Sequence, residues 1–379
     1  MVRSDRLLDE VKTFNDLVAE VQSKGICGKC GGCIAFCSAG EFNALSASDD
    51  GTPVMLDESK CLHCGICYLI CPQVKALDRE LRQKTGWKAP IGPLRQLVSA
   101  RALSRKIRNV ATDGGVVTAL LAHALKKHMI QAAIVSRRAG PFSREAMVAM
   151  NSEDLIEAAG SHFDESKTVR AFGERYTTFS PGVREVKSLG KRDLHRVALV
   201  GTPCQIFTIK KMQLLNVLPA DAVVLTIGLF CMENFSFGAK TRRALEKKLS
   251  AKLGQIRKLN IKDDVIVTTA KKEIIHIPFA VMDEFARPAC FACEDFSNEY
   301  ADISCGGVGS PDGYTTVLMR TTAGETLYNC AREDRAIEEL GFRNPGKARD
   351  ASTEMMAKIV AATRRKQARA AKRMGESPC

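Results

Sequence analysis

Long apolar runs are missing from this chain. The longest candidate, Ala222 to Met232, has about the length of a buried strand and falls short of the roughly 18 residues a spanning helix needs. No direct membrane insertion is expected, and any membrane contact would go through a partner. Met1-Val2-Arg3-Ser4-Asp5-Arg6 carries charge and lacks an apolar h-region, so the expected setting is cytoplasmic and reducing. No GxGxxG followed by an acidic residue occurs, which disfavours a Rossmann NAD site. Apart from one doubled cysteine block, no repeat of 20 to 50 residues is found.

What is present is cysteine, fifteen in 379 residues. A chain of this length with 45% hydrophobic residues builds its own core and does not need disulfide staples, so the thiols point to metal. The formal charge is +13, from 56 Lys+Arg against 43 Asp+Glu, which favours anionic partners. Part of that excess is the run Arg364-Arg365-Lys366, Arg369, Lys372 and Arg373, read as a solvated helix face. Iron-sulfur clusters with four thiolates each would subtract from the formal count, and no nucleic-acid partner is expected.

Apolar residues at helical spacing, Leu7, Leu8, Val11, Phe14, Leu17, Val18 and Val21, predict an amphipathic lead-in. Two dense cysteine blocks follow, and then Gly86, Trp87, Pro90, Gly92 and Pro93 read as a linker. Beyond residue 97 the pattern becomes α/β. Ala132 to Ser136, Val197 to Val200 and Ala222 to Leu229 suit buried strands, with helices expected at 115–128 and 238–253. A hairpin is expected over 260–279, and closing helices at roughly 323–340 and 350–374.

The first cysteine block is Cys27, Cys30, Cys33 and Cys37; the second is Cys61, Cys64, Cys67 and Cys71, followed by Pro72. Both read CxxCxxCxxxC, the bacterial ferredoxin run, in which the fourth cysteine ligates the other cluster. One 4Fe-4S cluster is therefore expected on Cys27, Cys30, Cys33 and Cys71, and another on Cys61, Cys64, Cys67 and Cys37. Zinc on CxxC pairs is the alternative, disfavoured because two quartets with CxxxC tails exceed what a ribbon needs. Ser38 stands where the first motif usually has Pro, which bears on the turn and not on ligation. His63 reads as a surface residue or one tuning the cluster from outside its ligand set. Cys204 and Cys231 each follow a predicted strand, and Cys290 and Cys293 form a further CxxC. These four can converge on a third cluster or stand as buried free thiols.

Five segments occur in the order seen in one protein family: Asp113-Gly114-Gly115, Gly201-Thr202-Pro203-Cys204-Gln205, Cys231-Met232-Glu233-Asn234, Cys290-Phe291-Ala292-Cys293-Glu294-Asp295 and Gly309-Ser310-Pro311-Asp312-Gly313. Over residues 98–375 the chain resembles the beta subunits of coenzyme F420-reducing hydrogenases and of F420-dependent formate dehydrogenases. With its ferredoxin block it is most similar to the formate dehydrogenase version. The resemblance implies an oxidoreductase subunit with FAD, coenzyme F420 as substrate and three 4Fe-4S clusters, the third on Cys204, Cys231, Cys290 and Cys293. Cys305, Cys330 and Cys379 are left as reduced thiols. It further implies a catalytic alpha subunit as partner, most of all that of a formate dehydrogenase; a hydrogenase, a heterodisulfide reductase or a membrane F420H2 dehydrogenase is the alternative. A flavin-free electron-transfer adaptor is a reading of another class.

The expected architecture is a mixed α/β (α+β) flavin domain preceded by a small two-cluster bacterial-type ferredoxin domain. Its parts are an N-terminal helix (1–24), the ferredoxin domain (25–80), a linker (81–97), the FAD/F420 domain (98–345) and a basic C-terminal helix or tail (346–379). A deazaflavin exchanges only a hydride and a cube one electron per step, so a flavin must stand between them. No catalytic side chain is required, and His123, His128, His195 and His276 are read as structural. For the flavin, Asp113, Gly114, Gly115 and Thr118 are expected to offer backbone amides at a helix N-terminus to a pyrophosphate. Tyr176, Gly201, Thr202, Gly309 and Ser310 complete the candidate cofactor set. An extra stretch at 161–172 precedes Gly173-Glu174-Arg175-Tyr176-Thr177, where the family has a shorter connection. Arg101, Arg105, Lys106, Arg137, Arg138, Arg170 and Arg175 are candidates for a cationic groove that steers the anionic coenzyme. Raising ionic strength should then raise the apparent KM for F420, and a flat salt response counts against the groove.

Overall fold

The computed structural model describes all residues except 1–10, 41, 141–142, 161–174, 253–254, 262–263, 342–344 and 376–379. Its centre is an eight-stranded mixed sheet built from β1 (Gln96–Ala102), β2 (Ala132–Gly140), β3 (Ser143–Ala149), β4 (Val197–Gly201), β5 (Val223–Leu229), β6 (Ile303–Gly306), β7 (Thr315–Met319) and β8 (Ile337–Glu339). The strand order is β8-β1-β7-β6-β5-β4-β2-β3. The four central strands, β6, β5, β4 and β2, run parallel, and antiparallel strands close both edges. Strands buried on both faces read as continuous apolar runs, which is why Val197–Gly201 and Val223–Leu229 are recognisable without alternation.

Successive residues of one strand nevertheless serve different cores, as a period of two requires. Ala133, Val135 and Ala198 pack beneath helices α1 (Val116–Lys126) and α3 (Thr322–Glu333). Ala132, Ile134, Val197 and Leu199 pack with helix α2 (Pro203–Leu214) and, through Ala35, Ile70 and Leu81, with the cysteine-rich lobe. The cysteine lobe is thus seated on one face of the sheet. Lys211 of α2, fully buried, locks the seat: its Nζ donates to the carbonyls of Cys71 at 3.2 Å and Val74 at 2.5 Å and pairs with Asp78 at 2.9 Å.

The elements depart from expectation at four places. Only Phe14–Leu17 of the lead-in forms an α-helix, followed by a π-helical turn over Val18–Gln22; residues 5–10 lie outside the described ones. The helix Asp78–Thr85 runs into the segment read as a linker, because Leu81 is buried against the core while its other side stays charged. The expected hairpin is the last two strands of a three-stranded sheet, Ile256–Ile261, Val265–Thr269 and Ile274–Ile277. The helix expected over 323–340 ends at Glu333, and Ile337–Glu339 becomes edge strand β8 on β1.

Buried Arg320, just after β7, ties the inter-lobe segment to the sheet by donating to the carbonyls of Ile91, Pro93 and Ser297 at 2.6, 2.8 and 3.0 Å and to Ser304 Oγ at 2.7 Å. Beside it, burial and the neighbouring Asp295 charge push the Glu299 carboxyl up to about 8, while Trp87 Nε1 donates to it at 2.5 Å. The folded chain keeps a proton there that the unfolded chain releases above its ordinary value of 4.5. Stability should therefore fall as pH rises from 4.5 to about 8. Glu299→Gln should flatten that slope in denaturant midpoints measured across the window, and an unchanged slope would contradict it.

Candidate functional site

The two ferredoxin-type blocks adopt the same backbone. In Cys27-Gly28-Lys29-Cys30-Gly31 and Cys61-Leu62-His63-Cys64-Gly65, Lys29 and His63 have φ of 47° and 50°, and Gly31 and Gly65 have φ of 85° and 72°. Left-handed residues at these places turn the chain so that a short helix starts directly after each, Gly32–Ala39 and Ile66–Leu69. The repeat is one of geometry as well as of spelling.

The sulfurs that act on one another sort into three groups. Burial first, then Cys30, Cys71 and Cys27, raise the Cys33 thiol well above its ordinary value. Burial with Cys64, Cys61 and Cys37 pushes Cys67 up to about 12. The fourth cysteine of each block thus acts on a cysteine of the other block, Cys71 on Cys33 and Cys37 on Cys67. Cys204 is raised by burial and by Cys30, Cys293 and Cys231, and Cys231 by burial, Cys290 and Cys293, to about 12. The groups act on one another in sequence, since Cys67 also bears on Cys33 and Cys30 on Cys204. Among the described residues no three Cys, His, Asp or Glu side chains meet as a single metal ion would require. A cube is a larger body, and sulfurs gathered four to a group, mostly withdrawn from water with Cys64 exposed, suit it.

Local sequence explains how the third group assembles. Thr202 caps α2 in a reciprocal box with Gln205, and Pro203 occupies the first helical position. Cys204 thereby sits at a helix N-terminus, where negative charge is favoured. Cys231 follows β5, whose end is held by Asn298 Nδ2 donating to the Leu229 and Gly201 carbonyls at 3.3 and 2.9 Å. Cys290 lies in the 3-10 turn at Pro288–Ala292 and Cys293 caps its end; the turn is anchored to the first block by Arg287 Nη2 donating to the Gly28 carbonyl at 2.7 Å.

A cavity of about 430 Å³ opens beside this group, with Cys231 in its wall. The volume suits a cofactor-sized ligand. Its lining includes the turn Thr112, Asp113, Gly115 and the start of α1 through Thr118, together with Gly201, Thr202, Thr178, Ser180 and Glu233, and Gly306 and Gly307 at the end of β6. Gly114 is forced: a Cβ there would meet the Ala100 carbonyl at 2.6 Å and the Thr315 nitrogen at 2.8 Å. Ser180 Oγ and Glu233 Oε1 are buried in this wall without a hydrogen-bond partner, an arrangement that awaits a polar ligand.

The same fold occurs in characterised proteins. Residues 97–172 match the family model for the N-terminal part of the coenzyme F420 hydrogenase/dehydrogenase beta subunit, and residues 194–343 the model for its C terminus. The coenzyme F420 hydrogenase subunit beta of Methanothermobacter thermautotrophicus is 32% identical over 253 residues, 65% of this chain and 85% of that one. The chain belongs to the family of coenzyme F420 hydrogenase/dehydrogenase beta subunits. A component of the F420H2 dehydrogenase of Methanosarcina mazei is 27% identical over 331 residues, covering 85% of this chain and 87% of its own. A chain of the F420-reducing NiFe hydrogenase complex from Methanosarcina barkeri superposes with a TM-score of 0.59 at 29% identity, over 74% of this chain and 94% of that one. The mixed α/β architecture is thus that of F420 beta subunits, and the relatives are subunits of F420-linked oxidoreductases.

Within this family member the cavity gathers Asp113, Gly115, Thr118, Gly201 and Thr202, while Gly114 supports their turn from behind. Gly309 and Ser310 lie outside the wall: a Cβ on Gly309 would reach Met355, and Ser310 Oγ bonds Thr316 Oγ1 at 2.7 Å. Tyr176 lies in the short strand Arg175–Thr177, paired to Ser236–Gly238; Thr178 and Ser180 just after it are the residues that reach the cavity. The stretch 161–172, including Arg170, lies outside the described residues, as does Cys379. Of the other proposed groove cations, Arg101 pairs with Glu338 and Arg137 with Glu145, and neither lines the cavity. Among the described residues the lining cation is Arg144, which the sequence pattern does not single out because β3 carries no motif. It donates to Ser136 Oγ at 2.7 Å and to the carbonyls of Gly160, Ser136 and Ala158, with burial lowering it to about 10. Cys305 also lines the wall as a buried thiol. Among the histidines, His123 is buried and His195 and His276 pair with Asp193 and Asp264 at the surface.

Proposed function

We propose that this chain is the coenzyme-exchanging subunit of an F420 oxidoreductase, holding FAD in the cavity and three 4Fe-4S clusters on Cys27, Cys30, Cys33 and Cys71, on Cys61, Cys64, Cys67 and Cys37, and on Cys204, Cys231, Cys290 and Cys293. The observation that carries the reading is Cys231, a member of the third sulfur group and of the cavity wall at once. Bound FAD supplies the exchange between the hydride of F420 and single electrons.

The chain's own residues do the rest. The Asp113–Gly115 turn and the N-terminus of α1 present backbone amides to an anion, and Arg144 adds a cation bonded to neutral oxygens in place of a carboxylate. Ser180 and Glu233 offer polar contacts to a ring edge, and the apolar remainder of the wall excludes water. Clusters held by the third, first and second groups would supply single-electron carriers leading toward the surface, where Cys64 is exposed. The formate dehydrogenase alpha subunit is the partner we favour, since this chain has no formate chemistry of its own. A membrane-type F420H2 dehydrogenase complex is the second reading, favoured by the Methanosarcina mazei relative aligning with 85% of this chain. Among the described residues no helix is long and apolar enough to cross a membrane, so attachment there would need other subunits.

Anaerobically purified protein should contain about twelve iron atoms per chain and one flavin visible after the clusters are bleached. Iron near eight removes the third cluster, and absence of flavin favours the adaptor reading. Cys293→Ala should bring iron to about eight and slow electron flow from F420 to an acceptor at the ferredoxin end. Unchanged turnover would contradict the route. Gly114→Ala should lower flavin content without loss of iron, and full flavin occupancy would remove the turn from the cofactor site.

A further inference from the structure

The basic C-terminal helix α4 (Pro345–Met374) is only partly the solvated face that its composition predicts. Arg364, Arg365 and Lys372 are exposed, but Met355, Ile359, Ala362, Thr363, Lys366 and Ala370 are buried at helical spacing. Lys366, 1% exposed, occupies a place in that stripe where an apolar side chain is the ordinary choice. Its Nζ donates to the carbonyls of Cys231 at 2.5 Å and Asp295 at 2.7 Å. Burial works against its charge, while Cys293, Cys231, Cys290 and Asp295 favour it. One turn on, Arg369 pairs with Glu233 at 2.5 Å, donates to the carbonyls of Met232 and Cys290 at 2.9 and 3.5 Å, and lies 4.8 Å from the Phe291 ring centroid.

Burying an ammonium is costly unless a counter-charge is held beside it. Its direct bonds are to two carbonyl dipoles, and the Asp295 carboxylate acts on it. A cluster bound by four thiolates adds a counter-charge that grows by one on reduction. We propose that Lys366 is the positioning charge of the third cysteine group, favouring the reduced state of the cluster held by Cys204, Cys231, Cys290 and Cys293, and that Arg369 clamps the same loop to α4. The inference rests on the proposed ligand set and adds a role that the ligands do not imply. It makes the C-terminal helix an electrostatic part of the electron route, and it sets the cluster beside the cavity to accept an electron more readily than its burial alone allows.

The test uses the full chain purified anaerobically as wild type, Lys366→Gln, Lys366→Arg and Arg369→Gln, with iron analysis and an EPR-monitored redox titration. Lys366→Gln should retain about twelve irons and move one of the three cluster potentials downward, by at least a tenfold change in its reduction equilibrium, about 59 mV for one electron. Lys366→Arg should restore most of the shift, which a purely packing role would not do. Should Lys366→Gln fail to hold iron, Arg369→Gln reports on the same field and should lower the same potential by less. Full iron with all three potentials in place, in Lys366→Gln or, failing that, in Arg369→Gln, overturns the inference while leaving the ligand set intact. Wild-type iron near eight overturns the ligand set itself, and this inference with it.

Discussion

A cysteine sulfur removed from water is poorly suited to carry charge, and burial accordingly raises the thiols of Cys33, Cys204, Cys231 and Cys293. Gathering several such sulfurs compounds the penalty, because each acts on its neighbours. The molecule meets this constraint with cations that are themselves withdrawn from solvent. Lys211 sits on the carbonyl of Cys71, Arg287 on that of Gly28, and Lys366 on that of Cys231. Each is anchored on an element foreign to the loop it serves: α2, the 3-10 turn and α4. The packing of the lobes and the electrostatics of the sulfur groups are therefore one problem with one solution.

That solution also explains the order of parts. The cysteine lobe is a small unit whose core, around Phe14, Leu17, Ile26, Ile34 and Tyr68, is modest for independent stability. Seated on α2, it gains the Ala35, Ile70 and Leu81 contacts with the sheet. The seat places the first block against Cys204: Thr208, one turn along α2, lies 3.5 Å from Cys30. The link from Cys30 through Thr208 to the Cys204 carbonyl is thus a consequence of how the lobe buries apolar surface.

Much of the fold is legible in residue patterns. The parallel core strands announce themselves as β-branched runs, and the two cysteine blocks as spaced thiols whose loops share one backbone conformation. Three features escape for physical reasons. The helix at Asp78–Thr85 is strongly charged and is held by a single buried Leu81. Strand β8 is three residues long and exists only because β1 offers it an edge. Arg144 lies in a strand whose alternation is ordinary, and only the approach of Gly160 and α1 makes it part of a cavity wall.

The amino-acid sequence alone determined which residues are the candidates for the chemistry, because CxxC spacing constrains thiolates within one loop whatever surrounds them, and because a glycine that must admit a neighbouring backbone is visible as a glycine. It also determined the family, through five short segments in order. Tertiary structure alone decided which thiols share a group across hundreds of residues, which cation faces the cavity, and that a basic tail turns inward. Those are outcomes of packing: a lysine at position 366 reads as surface until the stripe of Met355, Ile359 and Ala370 folds against the loop of Cys231 and carries the charge with it.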